Sequence, residues 1–256
     1  MSEPTIETPD WEDADFLGGR LRLRQFRGGH RAGTDAVLLA AFVEATPNET
    51  LIDAGAGIGA AGLAVLSRAP GVKAILVERH PATAALARYN VTANGFDTNA
   101  SVVEADIFDL AVCRSAALTG VADVVISNPP FFEPGTVRPS NDSRRAEAHV
   151  LDRGTHADWL LRIASFLKPN GRLVMIHRPD ALPSLLSAAT SRFGGMRILP
   201  VYPREGQAAI RILMSMRRGS KAPLSLLSPL PLHGENGFFT PKVESLHRGE
   251  LGLCIP

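Results

Sequence analysis

The apolar positions of this chain fall into short blocks between polar turns, and the blocks alternate between two kinds. One kind is brief, rich in β-branched residues and almost uncharged: residues 50–54, 73–77, 101–105 and 121–127. Such runs read as strands of a sheet covered on both faces. The other kind is longer and rich in alanine and leucine: residues 36–43, the stretch from Ala60 to about Arg68, and residues 81–94. These read as helices, with Pro81 in a first turn and Asn94-Gly95 as a C-terminal stop. Thr34 or Asp35 is placed to cap the helix over 36–43. A fifth strand follows the turn Lys168-Pro169-Asn170-Gly171. After a helix near 181–192, two more strands near 197–202 and 208–216 flank Gly206-Gln207 as a hairpin. The pattern predicts an α/β fold, a Rossmann-like, doubly wound, mostly parallel seven-stranded sheet with an antiparallel C-terminal strand.

At the N-terminus, residues 1–15 are polar and acidic and read as a disordered lead. Residues 16–47 then form a strand and helix that cap the main domain. Within that strand Arg20, Arg22 and Arg24 alternate with Leu21 and Leu23. The main domain spans 48–218. Residues 219–256 are proline-rich without sustained periodicity, a C-terminal appendage to which no role is assigned.

The fourth strand ends at Asn128-Pro129-Pro130-Phe131-Phe132. Proline cannot donate to a ladder, and it pushes the residue before it to an extended conformation. Asn128 is therefore held extended at the carboxyl end of a strand, where ligands bind in open α/β sheets. Its side-chain carbonyl and the Pro129 backbone carbonyl are two acceptors for the two hydrogens of one –NH₂ group. An amino nitrogen on an sp² centre is a poor nucleophile, because its lone pair is delocalised. Two acceptors draw it toward tetrahedral geometry and aim the lone pair at an electrophile. Phe131 or Phe132 would stack on the planar group carrying the amine, worth about 1–3 kcal/mol for a base. In isolation the same residues also describe a proline-terminated strand followed by two core phenylalanines, so their neighbours decide.

The neighbours point to a cofactor. Asp53-Ala54-Gly55-Ala56-Gly57-Ile58-Gly59 joins the first strand to a helix, and its glycines admit positive φ and close backbone approach. As G-x-G-x-x-A it fits a dinucleotide fingerprint. As D-x-G-x-G-x-G it better fits an S-adenosylmethionine loop, with Asp53 near the amino-acid end. Glu78 ends the second strand, where an acid takes two ribose hydroxyls in either cofactor. Asp106 and Ile107 follow the third strand, where an acid and an apolar residue can hold an adenine; on local grounds Asp106 is equally a turn residue. In a parallel doubly wound sheet all these strand ends share one rim.

Charge and composition narrow the partners. The formal net charge is +1, so any nucleic-acid surface must be local. The densest positive patch is Arg20 to Arg31, with Arg22, Arg24 and Arg27 as candidate phosphate contacts or, more plainly, a solvated strand face. Residues 133–156 are polar and weakly patterned, with Arg138, Arg144, Arg145 and Arg153, and read as a substrate-facing lid that orders on RNA or, more plainly, as a disordered insertion. The two cysteines are far apart, which suits a reducing cytoplasm and gives neither a metal spacing nor a disulfide scaffold. No apolar run approaches the about 20 residues needed to span a bilayer. The expectation is a cytoplasmic protein with no metal and no membrane partner.

With these motifs in place the chain resembles the class I S-adenosylmethionine-dependent methyltransferases, with DAGAGIG as cofactor loop and NPPFF as the catalytic loop of the amino-methylating subset. More closely, it is similar to the bacterial tRNA adenine N6-methyltransferase family that modifies the adenine beside the anticodon of a valine tRNA. The closer likeness is carried by the G-x-x-x-G-T-D-A-V-L-L-A pattern from Gly29 to Ala40 and by Arg144-Arg145-Ala146-Glu147-Ala148 after NPPFF. Trp159 and Leu160 leading to residues 166–173 carry it as well. It covers about residues 16–217. Phe131 stands where the wider group often has Tyr, which keeps stacking and loses a hydroxyl. The resemblance implies that Asp53, Gly55, Gly57 and Gly59 hold the methionine part of S-adenosylmethionine, Glu78 the ribose, and Asp106 with Ile107 the adenine. Thr34 and Asp35 cover the cofactor, while Asn128, Pro129, Pro130 and Phe131 orient and stack the target. Phe132, Arg144 and Arg145 join the arginines of the N-terminal strand as candidate contacts to tRNA.

Rival readings remain at this point. N5-methylation of a protein glutamine uses a similar N-P-P loop, and ribosomal RNA guanine or DNA adenine fits the same pocket logic. A nicotinamide dehydrogenase would leave NPPFF without purpose. A non-catalytic RNA-binding module with a vestigial cofactor fold would need neither an intact DAGAGIG nor Asn128.

Overall fold

The computed structural model describes residues 10–27, 32–130 and 155–253. The chain opens with an antiparallel hairpin, β1 (Trp11–Phe16) and β2 (Leu21–Phe26), followed by α1 (Thr34–Ala41). Strand and helix then alternate: β3 (Thr50–Ala54), α2 (Ala60–Arg68), β4 (Lys73–Glu78), α3 (Pro81–Ala93), β5 (Ala100–Glu104), α4 (Leu110–Ser115) and β6 (Ala122–Ser127). Past residue 154 come α5 (His156–Ala164), β7 (Leu167–His177), α6 (Leu182–Ala189), β8 (Phe193–Tyr202) and β9 (Arg211–Arg218). Two short strands, β10 (Ser225–Leu226) and β11 (Leu230–Pro231), precede α7 (Pro241–His247).

The main sheet runs β10-β8-β9-β7-β6-β3-β4-β5, with β11 also paired to β8. β3 to β7 are parallel, and β9 lies antiparallel between β7 and β8. After β3 the chain builds outward through β4 and β5, then crosses to the other side of β3 for β6. The gap between the carboxyl ends of β3 and β6 is thus the topological switch point, where ligands sit in such sheets.

The apolar strands are apolar because both faces are covered. Leu51 of β3 packs in one layer with Leu38 of α1 and Leu63 of α2, while its neighbour Ile52 packs in the opposite layer with Leu160 and Ile163 of α5. All six are fully buried. Burial of each such side chain favours folding by about 1.5–3 kcal/mol.

Four expectations need correction. First, the polar lead does not extend to residue 15, because Trp11–Phe16 is β1. Its acids hid the strand, yet Asp13 and Asp15 face Arg24 and Arg22 across the pair. Second, the cap of α1 is Gly33; Thr34 and Asp35 already lie in its first turn. Third, among the described residues the sheet holds nine strands, and residues 219–253 are packed against the main domain instead of appended to it. β8 would present an open edge, and β10 and β11 cover it in two short pieces, an edge position that tolerates the tail's prolines. Leu230, Leu232, Val243, Leu246 and Leu253 are buried, and Leu253 N donates to the Ala41 carbonyl at 2.7 Å. Fourth, the turn at residues 168–171 lies within β7 as an irregularity: Ala122 pairs with Leu167, but Val124 pairs with Arg172. The α4 helix, capped by the Asp109 carboxylate, had no counterpart in the sequence pattern. The lid at 133–156 lies almost wholly outside the described residues.

Candidate active site

The carboxyl ends of β3, β4, β5 and β6 open together into a cavity of about 620 Å³, within the range typical of small-molecule sites. The loop after β3 shapes its floor through three glycines with left-handed φ of 75°, 57° and 89° at Gly55, Gly57 and Gly59. A Cβ on Gly55 would stand 3.1 Å from the Trp159 ring. At Gly57 a Cβ would meet nothing within 4 Å, so the bare backbone faces the cavity. Gly59 does a different job from the one expected. It caps α2 outside the cavity wall, and a Cβ there would press on Leu76 at 3.0 Å.

Two acids set this loop. Asp53 is buried and accepts from Gly62 N at 2.8 Å, which ties the start of α2 to β3. Burial pushes its carboxyl up to about 7, against the pull of the Gly62 N–H and with a further push from the charge of Glu78. Glu78 accepts from Gly57 N and from His80 N, each at 2.9 Å, and so joins the loop to the start of α3. A carboxylate has about four acceptor positions, so Glu78 retains capacity for a ligand's hydroxyls. Asp106 accepts from Phe108 N at 2.8 Å, as a turn residue does, and also lines the cavity beside buried Ile107. Carboxylates, bare glycine backbone and an apolar wall make a donor set that fits a nucleoside with an amino-acid tail.

Thr34 and Asp35 line the cavity from α1. Asp35 accepts from Arg211 Nε at 3.1 and 2.9 Å, bringing the first residue of β9 to the rim. Asn128, Pro129 and Pro130 line it from the end of β6. The Asn128 Oδ1 is buried and accepts no hydrogen bond among the described residues, and an orphaned buried acceptor calls for a donor. Phe131, Phe132, Arg144 and Arg145 lie outside the described residues.

Three contributors escaped sequence reasoning. Trp159 Nε1 donates to Ser127 Oγ at 3.0 Å, and Ser127 Oγ donates to the Ala54 carbonyl at 2.8 Å. This chain locks the residue before Asn128 to the residue before Gly55. Trp159 also meets Phe108 edge-on at 6.0 Å, closing an apolar wall. Arg211 is the third; no spacing in the sequence links it to Asp35.

The arginines of β2 are not part of the cavity. Arg24 lies between the rings of Trp11 and Tyr89, 3.4 and 3.7 Å from their centres, and pairs with Asp13 at 2.8 Å, so its charge is engaged within the protein. Arg22 is exposed opposite Asp15, and Arg27 donates to the Trp11 carbonyl at 3.2 Å. Among the described residues no group of three or more His, Cys, Asp or Glu is placed to hold a metal, and no helix is long and apolar enough to cross a membrane.

Comparison with known proteins points to the methyltransferases. The model of a family described as methyltransferase small domain matches residues 31–184. A Porphyromonas gingivalis protein named tRNA1(Val) (adenine(37)-N6)-methyltransferase is 30% identical over 219 residues, 83% of this chain and 85% of that one. A protein of the same name from Actinobacillus succinogenes is 27% identical, over 88% of this chain and 92% of that one. A crystal structure from Agrobacterium tumefaciens, described as a predicted O-methyltransferase, is 31% identical with a TM-score of 0.72, covering 86% of this chain and 98% of that one. The fold is shared with M. jannaschii TYW2 in complex with AdoMet, at 15% identity and a TM-score of 0.57 over 84% of this chain and 89% of that one.

Proposed function

This chain belongs to the methyltransferase small domain family, and from that premise we propose that it transfers a methyl group from S-adenosylmethionine to the exocyclic N6 amino group of an adenine beside the anticodon of a tRNA. The observation that carries the choice of an amine is the orphaned Oδ1 of Asn128, a residue that lines the cavity together with Pro129. Two neighbouring acceptors match the two hydrogens of an –NH₂ group, whereas a hydroxyl has one. The names of the relatives supply the adenine and the tRNA.

Bound S-adenosylmethionine supplies an electrophilic methyl group on its sulfonium. The protein's part is alignment and exclusion of water. Glu78 would accept from the ribose hydroxyls, Asp106 would accept from the adenine amino group, and Ile107 would pack on that ring. The backbone at Gly55 and Gly57 would hold the amino-acid end, with Asp53 holding the loop from behind. Asn128 and Pro129 accept from the target amine and turn its lone pair toward the methyl. The target base leaves its stack to reach them, and an unpaired anticodon-loop position makes that extrusion least costly.

The test is transfer of labelled methyl from S-adenosylmethionine to bulk unmodified tRNA, with Asn128→Ala in parallel and nucleoside analysis of the product. N6-methyladenosine from the wild type, reduced by about 10²-fold or more in the variant, is the expected result. An unlabelled tRNA pool with cofactor binding intact would overturn the tRNA assignment, and the same assay on ribosomal RNA, DNA and glutamine-containing peptide would then identify the acceptor.

A further inference from the structure

The segment that orients the target amine has no backbone donor at two consecutive positions, because Pro129 and Pro130 both lack an N–H. Its carbonyls can only accept, so whatever fixes the segment must bring a donor from elsewhere. His156 brings one: its Nε2 lies 3.2 Å from the Pro130 oxygen. A carbonyl offers only lone pairs, so the hydrogen of this contact belongs to Nε2.

The ring of His156 is itself well held. His156 is the first residue of α5, directly after Thr155, which forms a reciprocal capping box with Asp158: Asp158 N donates to Thr155 Oγ1 at 3.1 Å, and Thr155 N donates to Asp158 Oδ2 at 2.9 Å. That pair keeps the first turn from fraying. His156 is 6% exposed, and its ring lies edge-on to His177, centre to centre 4.3 Å, at the end of β7. Burial, and then the proximity of His156, push His177 down to about 3, so it presents a neutral surface. One helical turn on from His156, Trp159 grips Ser127. Residues three apart share a helix face. α5 therefore holds the end of β6 on both sides of Asn128, at Ser127 before it and at Pro130 after it.

Resting on the function proposed above, we infer that His156 is a positioning residue for the methyl acceptor: by holding the Pro130 carbonyl it fixes the set of the Asn128 and Pro129 acceptors toward the amine. It touches neither cofactor nor target. Its loss loosens the acceptors without emptying the cofactor pocket.

His156→Leu keeps the apolar volume and removes the donor; His156→Gln replaces the ring with an amide whose Nε2 reaches about the same point. The expected result for His156→Leu is a kcat on tRNA lower by about 10–100-fold, with KM for tRNA, cofactor affinity and melting temperature unchanged. His156→Gln should recover most of the kcat. Wild-type kcat in His156→Leu, or equal loss in both variants, would overturn the inference. A second readout needs no substrate: the Nε2 proton of His156 should give a slowly exchanging imidazole resonance in the free protein, and its absence would also overturn the inference. A wild type that shows this resonance but methylates no tRNA would support the contact and sink the substrate assignment instead.

Discussion

Asn90 pairs with the backbone of Arg24 as a neighbouring strand would. Its Oδ1 accepts from Arg24 N at 2.7 Å, and its Nδ2 donates to the Arg24 carbonyl at 3.1 Å. One turn further along α3, Asn94 does the same for Arg22, at 2.9 Å each way. Asn90 also donates to the Ile58 carbonyl in the glycine loop at 3.0 Å, so one buried side chain ties the N-terminal hairpin to the cofactor loop. Asn90→Leu strips partners from the part-buried backbone of Arg24 and Ile58 and should cost about 2–4 kcal/mol in denaturant unfolding. Hydrogen exchange should quicken at Arg24, and affinity for S-adenosylmethionine should fall.

Ser127→Ala removes the link between Trp159 and Ala54. The indole N–H then stays buried without a partner, at a cost of about 1–3 kcal/mol. Urea unfolding followed by tryptophan emission would measure it. Turnover should drop further than cofactor affinity, since the residue next to Asn128 loses its anchor.

Asp53 makes stability depend on pH in an unusual direction. Its carboxyl titrates near 7 in the folded protein against an ordinary value of 3.8. Between those values the folded state holds a proton that the unfolded state has lost, so the stabilising contribution is complete below about 4 and fades as pH rises through about 7. At 1.36 kcal/mol per unit the full span amounts to roughly 4 kcal/mol. Unfolding free energies of the cofactor-free wild type and Asp53→Asn, measured from pH 4 to 8, should diverge in that sense. Parallel curves would show that Asp53 is ionised throughout.

Asp35 and Arg211 form a half-buried pair, 19% and 26% exposed, that fastens α1 to β9 at the rim. Removing either partner alone should destabilise more than removing both, because a lone charge is left partly buried. A double-mutant cycle with Asp35→Asn and Arg211→Gln should return a coupling of about 1–2 kcal/mol that shrinks only slightly in salt.

What the chain reveals of itself before folding depends on range. β3, β4 and β6 are legible because strands covered on both faces must be apolar throughout, and the glycines after β3 and the prolines after β6 mark where the backbone leaves the sheet. The site residues on those turns are legible for the same reason. Ser127 with Trp159, 32 residues apart, and Asp35 with Arg211, 176 apart, are not. Each pair exists only once the sheet order is fixed, and neither residue type announces its partner. β1 was hidden by its acids, whose sense appears only opposite Arg22 and Arg24. β10 and β11, two residues each, are too short for any period to show.

The placement of β6 beside β3 also says something about how the protein comes into being. β3 meets β4 early in the chain, but its other neighbour arrives 73 residues later, where Thr50 N donates to the Asp123 carboxylate at 2.9 Å. Contacts of such sequence separation form slowly, because a long loop must close before they repay it. Until that closure, β3 has a bare flank and Asn128 has no place in space. The glycine loop and Asn128 leave adjacent strands, so it is the β3–β6 pairing that sets them side by side. Before that closure the chain can carry the β3–β5 side of the cavity with no Asn128 opposite it, and the refolding rate should track β3–β6 pairing far more closely than the strength of either loop.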